Sequence, residues 1–187
     1  MKRRAIVLLT TMAVVLVVGS GVALAATLNC TANTSCVGTP DLDTMNGSSG
    51  IDEMYGYSGA DTLHGYGGND FYLEGGKGSD HLYGDTGGDE DLWGGAYSGG
   101  AYNDTSDDYV YGGSGADHIY GGYAQGGVDR LYGQGGDDLI EASYRHDPHG
   151  GSLTKEIIDC GSGASDEVFF DKGLDVTTNC EVKHGFS

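Results

Sequence analysis

The sequence predicts an all-β solenoid, a stack of short coils rather than a globule around one core. Three observations carry that prediction. The first is a nine-residue phrase, clearest at Gly112-Gly113-Ser114-Gly115-Ala116-Asp117-His118-Ile119-Tyr120, which recurs at a fixed short period. The second is composition: 36 glycines and only 2 prolines in 187 residues, without the three-residue period of collagen. The third is charge. There are 28 acidic against 9 basic side chains, a net charge of −19. The acids stand at regular spacing before apolar residues, which argues against simple disorder.

Written out, the phrase is G-G-x-G-x-D-x-U-x, with U a large apolar residue. Its Asp is position six, its apolar residue position eight, and its last residue position nine. Other copies are Gly47–Tyr55, Gly56–His64 and Gly75–Tyr83, and later Asp129 precedes Leu131-Tyr132 and Asp138 precedes Ile140-Glu141. Asp43, Asp52, Asp61 and Asp70 stand nine apart. Six residues form a turn and three a strand, in which position eight points inward and positions seven and nine outward. Glycine at positions one, two and four permits positive φ and close carbonyl approach.

This phrase resembles the calcium-binding nonapeptide repeat of RTX (hemolysin-type) proteins, over roughly residues 38–180. The resemblance implies a parallel β-roll, a β-solenoid in which two nonapeptides make one 18-residue coil. Counting worn units, the chain holds about 15 half-coils, or seven to eight coils. At ~4.8 Å per coil the roll would be about 35 Å long. The resemblance also implies Ca2+ as the cofactor, held between repeat n and repeat n+2 with the Asp of each as a ligand. Carried onto this chain, the pairs are Asp52 with Asp70, Asp61 with Asp80, Asp70 with Asp89, Asp108 with Asp129, and Asp117 with Asp138. The candidate metal residues are therefore Asp52, Asp61, Asp70, Asp80, Asp89, Asp108, Asp117, Asp129 and Asp138. Asp70 serves two pairs, whereas Asp138 borders a degenerate unit and serves one. Asp104 lies outside the ligand position.

The bland alternative makes these Asp residues simple Asx-turn formers. Against it, each unit buries a single large apolar residue, which is little return for ordering nine backbones, and the carboxylates repel one another. Something must neutralise the Asp ladder. Calcium, a hard cation that takes carboxylate and carbonyl oxygens, does so.

Taken in order, residues 1–25 read as a secretion signal: Lys2, Arg3 and Arg4, an apolar run from Ala5 to Val18, then Ala23-Leu24-Ala25 as a cleavage site. The run is shorter than the ~20 residues of a spanning helix. The chain is thus expected to be secreted and extracellular, with no membrane attachment after cleavage. Residues 26–42 form an N-terminal cap and 43–141 the calcium-binding repeats. Asp70–Glu74 and Asp89–Trp93 each carry one extra residue, a small bulge. The unit 94–102 has lost its Asp, and Tyr123-Ala124-Gln125 is a three-residue insertion. Residues 142–156, with Pro148 and His149 at strand positions, are a degenerate repeat or surface loop. Residues 157–187 close the roll with the last repeats and a disulfide cap.

Cys30, Cys36, Cys160 and Cys180 are an even set in an exported chain, which implies disulfides. Cys30–Cys36 would close a local loop. Cys160 and Cys180, 20 apart with one extra residue between them, fall within one residue of stacking on adjacent coils, inside the roughly 4.4–6.8 Å Cα range of a disulfide. Both ends of the roll are then disulfide-capped.

Position nine is often aromatic: Tyr55, Tyr83, Trp93, Tyr111, Tyr120 and Tyr132. An outward ladder of rings is either a carbohydrate-binding or adhesive surface, or a shield over strand hydrogen bonds. Extracellular polysaccharide and cell-surface components are the corresponding partners. Nucleic acid is not, because so acidic a chain repels phosphate. No nucleophile elbow or zinc-protease spacing occurs among the Ser and His residues. The expected function is non-enzymatic: a secreted calcium-binding roll that folds on calcium, with a structural or interaction role. A solenoid enzyme acting on polysaccharide is the lesser alternative, and would need paired acids on an outward strand face.

Overall fold

The computed structural model describes residues 25–95, 104–122, 127–143 and 154–187. Segment 1–24, where the sequence places most of the secretion signal, lies outside the described residues, as do the Tyr123-Ala124-Gln125 insertion and Pro148-His149. The strands run in order: β1 (Ala26–Asn29), β2 (Ser35–Val37), β3 (Asp43–Ser48), β4 (Glu53–Tyr55), β5 (Thr62–Tyr66), β6 (Tyr72–Gly76), β7 (His81–Tyr83) and β8 (Leu92–Gly95). There follow β9 (Tyr109–Ser114), β10 (His118–Tyr120), β11 (Arg130–Gly135), β12 (Leu139–Glu141), β13 (Ile157–Asp159), β14 (Glu167–Asp171), β15 (Val176–Thr178) and β16 (Val182–Phe186).

Odd strands form one 8-stranded parallel sheet and even strands the other, each in sequence order. The chain therefore climbs by alternating between sheets, as the period of two nonapeptides per coil requires. The register keeps equivalent positions on top of one another. In the odd sheet Met45 lies against Leu63, Leu63 against Leu82, Leu82 against Val110 and Val110 against Leu131. In the even sheet the inward row runs through Met54, Leu73, Leu92, Ile119, Ile140 and Val168. All of these are fully buried. The core is thus two facing columns of single apolar side chains, one per half-coil.

The ends differ from the middle. Leu28 and Cys36 pack against the first coil, so residues 26–37 supply strands to both sheets. At the other end the inward position of β16 is Lys183, which is exposed. An inward-register charge on a terminal strand discourages further strand addition. Both disulfides form: Cys30–Cys36 at 5.6 Å and Cys160–Cys180 at 5.1 Å between Cα atoms.

One count changes. Residues 94–102 supply no described strand beyond Gly95, and β8 is followed by β9. Because β9 stacks on β7 and β10 on β8, no further described strand stands between Gly95 and Tyr109, and the worn half-coil is not counted as a coil. The same holds for 142–156: β13 stacks directly on β11 and β14 on β12. Much of both segments lies outside the described residues. Parallel stacking tolerates such insertions because only the strands and the Asp residues before them must repeat.

Candidate metal centre

Every position-six Asp sits at a turn edge, just before a strand, and is buried. Asp43, Asp61, Asp80, Asp108 and Asp129 line the edge that leads into the odd sheet. Asp52, Asp70, Asp89, Asp117, Asp138 and Asp166 line the edge that leads into the even sheet. None is more than 2 % exposed. Along each edge the backbone N–H of one Asp donates to Oδ1 of the Asp one coil on. On the first edge these bonds run Asp43 to Asp61 (2.7 Å), Asp61 to Asp80 (2.7 Å), Asp80 to Asp108 (2.9 Å) and Asp108 to Asp129 (3.0 Å). On the second they run Asp52 to Asp70 (3.0 Å), Asp70 to Asp89 (2.7 Å), Asp89 to Asp117 (2.9 Å), Asp117 to Asp138 (2.9 Å) and Asp138 to Asp166 (2.9 Å).

All five pairs drawn from the sequence are thus brought together. The structure adds Asp43–Asp61, Asp80–Asp108, Asp89–Asp117 and Asp138–Asp166. Asp80–Asp108 and Asp89–Asp117 were missed because the segment after β8 sets partners 28 positions apart that in the preceding coils stand 18 or 19 apart. Asp166 was missed behind the second such segment, although Cys160-Gly161-Ser162-Gly163 before it keeps part of the glycine phrase. With Asp166 in place, Asp138 serves two pairs, not one.

The second carboxylate oxygen is the informative atom. Oδ2 of Asp61, Asp70, Asp80, Asp89, Asp108, Asp117, Asp129, Asp138 and Asp166 is buried and accepts no hydrogen bond. A buried carboxylate oxygen left so is costly unless a cation meets it. Asp43 and Asp52 are different. Their Oδ2 atoms accept the backbone N–H of Thr39 and Ser48, each at 2.6 Å, as well as the hydroxyls of those residues.

The orphan oxygens face backbone carbonyls. A Cβ placed on Gly112 would stand 2.6 Å from Asp117 Oδ2 and 2.9 Å from the carbonyl oxygen of Gly133, one coil on. Gly47 and Gly75 show the same pairing, with Asp52 Oδ2 and Gly65 O, and with Asp80 Oδ2 and Gly94 O. Position one therefore needs glycine for space, not for positive φ. Positive φ falls at positions two and four, and at position two even non-glycine residues adopt it: Tyr57 (75°), Tyr66 (68°), Asp85 (69°) and Gln134 (74°). A left-handed residue there costs roughly 1–2 kcal/mol. In the first two turns, Thr39 and Ser48 do not take this conformation, and their N–H groups turn in to their own Asp.

Burial pushes these carboxyls far up. It raises Asp80 to about 8, Asp61, Asp89, Asp129 and Asp138 to about 7, and Asp70 and Asp117 to about 6; in each the N–H from the preceding Asp works against the rise. Asp108 is raised as well, by burial first and then by the charges of Asp129, Asp80 and Asp104. A folded chain without cations would carry a proton on Asp80 at neutral pH and share protons among the groups near 7. Among the described residues no group of three or more His, Cys, Asp or Glu forms a metal site. The donors are instead paired carboxylates and carbonyl oxygens, a hard all-oxygen set that suits calcium.

The RTX calcium-binding nonapeptide repeat model matches in four copies, over residues 37–72, 72–96, 93–122 and 123–143. The chain belongs to that family. Its repeats are calcium-binding repeats built into a β-roll. No curated protein matches the chain in a sequence search.

The outward aromatic residues of this RTX roll stack on one another. His64, Tyr83, Tyr111 and Tyr132 form one column on the odd sheet, with ring centroids 4.5, 5.0 and 4.9 Å apart and planes within 7° of parallel. Tyr83 and Tyr111 thus have both faces covered. Trp93 and Tyr120 stack at 3.8 Å on the even sheet. A sugar ring needs an open aromatic face, so within the column this arrangement favours the shielding role. The even sheet does place acids at position nine, Glu74 and Glu141, both buried.

Proposed function

We propose that this protein is a secreted calcium-binding β-roll that completes its fold on binding calcium and serves a structural or interaction role outside the cell. Residues 1–25 act as its export signal, 26–42 and 157–187 as its disulfide-bearing ends, and 43–141 as its principal calcium-binding part. The ligands are Asp61, Asp70, Asp80, Asp89, Asp108, Asp117, Asp129 and Asp138, each through Oδ2, joined by position-one carbonyls of the next coil. Asp52 contributes less, because Ser48 already satisfies its Oδ2. The observation that carries the proposal is the double row of buried carboxylate oxygens with no hydrogen-bond partner. Calcium supplies the positive charge those rows require, so its binding free energy is folding free energy. Its role is non-catalytic on this reading.

The test is a calcium titration of the purified chain followed by far-UV circular dichroism, with ion stoichiometry from calorimetry. The expected result is little β-structure in chelator, a cooperative gain near ~0.1–1 mM calcium as in extracellular modules, and several ions bound per chain. A spectrum that chelator leaves unchanged would overturn the proposal.

A further inference from the structure

The segment between β8 and β9 brings, at Asp104, a side chain that the repeat does not provide. In the unbroken turns the position-four N–H donates to the position-three carbonyl one coil on: Gly59 to Lys77 (2.8 Å), Gly68 to Thr86 (3.1 Å), Gly87 to Ser114 (2.8 Å) and Gly115 to Gly135 (2.8 Å). At Gly78 the partner comes instead from the segment that follows β8. There the N–H lies 3.4 Å from Oδ1 of Asp104, which also accepts the Ser106 N–H at 3.2 Å. The Asp104 carboxylate thus stands where a backbone carbonyl stands elsewhere.

Its other oxygen is free for something else. Asp104 is 2 % exposed, and its Oδ2 is buried with no hydrogen-bond partner. That atom lies 3.6 Å from where a Cβ on Gly95 would sit, inside the turn edge. Its charge acts on Asp80, Asp108 and Asp129, the three ladder carboxylates of this stretch of the edge. A fourth buried negative charge beside those three, with no basic group among the described residues donating to it, is stable only with added positive charge.

We propose that Asp104 is an additional charged ligand on the first edge, creating beside Asp80, Asp108 and Asp129 a cation site richer by one carboxylate than the repeat alone supplies. The site takes a hard divalent cation such as calcium, and the inference rests on the calcium reading above. Among the described residues no three carboxylates form a site by themselves, so backbone carbonyls complete the shell, as along the rest of the edge. Ligand charge count sets calcium affinity, so this site fills first.

Calorimetric calcium titrations of the purified chain, wild type against Asp104→Asn, test it, with Asp41→Asn, an exposed carboxylate outside the ladder, as a control. Asn keeps an acceptor for the Gly78 N–H but removes the charge. The expected wild-type isotherm has one ion bound at least about tenfold more tightly than the rest; Asp104→Asn loses that tight phase, and Asp41→Asn retains it. A wild-type isotherm reproduced by Asp104→Asn would overturn this proposal alone, whereas a wild type that binds no calcium would defeat the calcium reading itself. Should Asp104→Asn fail to fold even in saturating calcium, the carboxyl carbon of Asp104 in wild type, followed by NMR, decides: a shift complete within the first equivalent of calcium supports the site, and no shift there overturns it.

Discussion

The first two turns and the turns of the middle share one phrase yet solve the same electrostatic problem differently. At Asp43 and Asp52, Thr39 and Ser48 turn their N–H and hydroxyl groups onto Oδ2. From Asp61 onward, position two is left-handed in turn after turn and Oδ2 is left without a donor. The carboxylate is buried in both places. What differs is whether the turn closes on its own Asp or stays open toward the next coil. On the calcium reading proposed above, a self-closed turn needs a cation less than an open one does.

The largest effect that can break this comparison is removal of a shared open ligand. Asp70→Ala takes a carboxylate from two stacked pairs and should raise the calcium midpoint about tenfold or more, since losing one charged interaction costs about 1.5–3 kcal/mol and 1.4 kcal/mol is a factor of ten. Asp138→Ala should match it, because Asp166 gives Asp138 a second partner. Asp52→Ala should do much less. Dichroism at a series of calcium concentrations checks all three; equal midpoints for Asp52→Ala and Asp70→Ala would mean that calcium merely screens a diffuse charge.

Next in size is obstruction of the open space itself. Gly112→Ala puts a methyl group against Asp117 Oδ2 and the Gly133 carbonyl, an overpacking that costs about 1–3 kcal/mol. Gly67→Ala meets Thr86 Oγ1 at 3.1 Å and the Thr86 carbonyl oxygen at 3.8 Å and should be milder. A Gly112→Ala chain with the wild-type calcium midpoint would show that the space holds no ion.

Protons should compete with calcium on the open turns. Their folded-state carboxyls lie at about 6 to 8, against ~3.9 for an unfolded Asp. Between those values the folded, calcium-free chain binds more protons than the unfolded one, so its stability falls as pH rises through that window. The calcium-free chain should therefore show more β-structure at pH 5 than at pH 8. The calcium midpoint should in turn fall as pH rises from 6 to 8, because fewer protons need displacing. Titrations at the two pH values read the direction, and a midpoint that rises with pH would contradict it.

The smallest effect concerns position two. Gln134 is exposed with φ of 74°, and Gln134→Gly relieves a strain of roughly 1–2 kcal/mol, partly offset by the entropy glycine loses on folding. A modest lowering of the calcium midpoint is expected. A rise would show that the glutamine side chain itself steadies the turn.

Much of this was legible from the chain alone, because a solenoid converts sequence period directly into spatial stacking. The nine-residue phase placed Met45, Leu63, Leu82 and their equivalents inside, put the Asp residues on two edges, and brought Cys160 beside Cys180 within one residue of register. Local chemistry fixed these features: glycine where the backbone crowds, Asp where the turn ends, one large apolar residue per strand. Only the stacked structure decided the rest. It showed no described strand in 94–102 beyond Gly95, since what continues a coil is pairing with the strand beneath and not the count of residues. It joined Asp80 to Asp108 and Asp138 to Asp166 across longer intervening segments, buried Asp104 where the motif had no place for it, and separated Asp52 from its neighbours by the N–H of Ser48. Those outcomes depend on which polar groups of adjacent coils meet in three dimensions, and a one-dimensional repeat does not encode that once its spacing is broken.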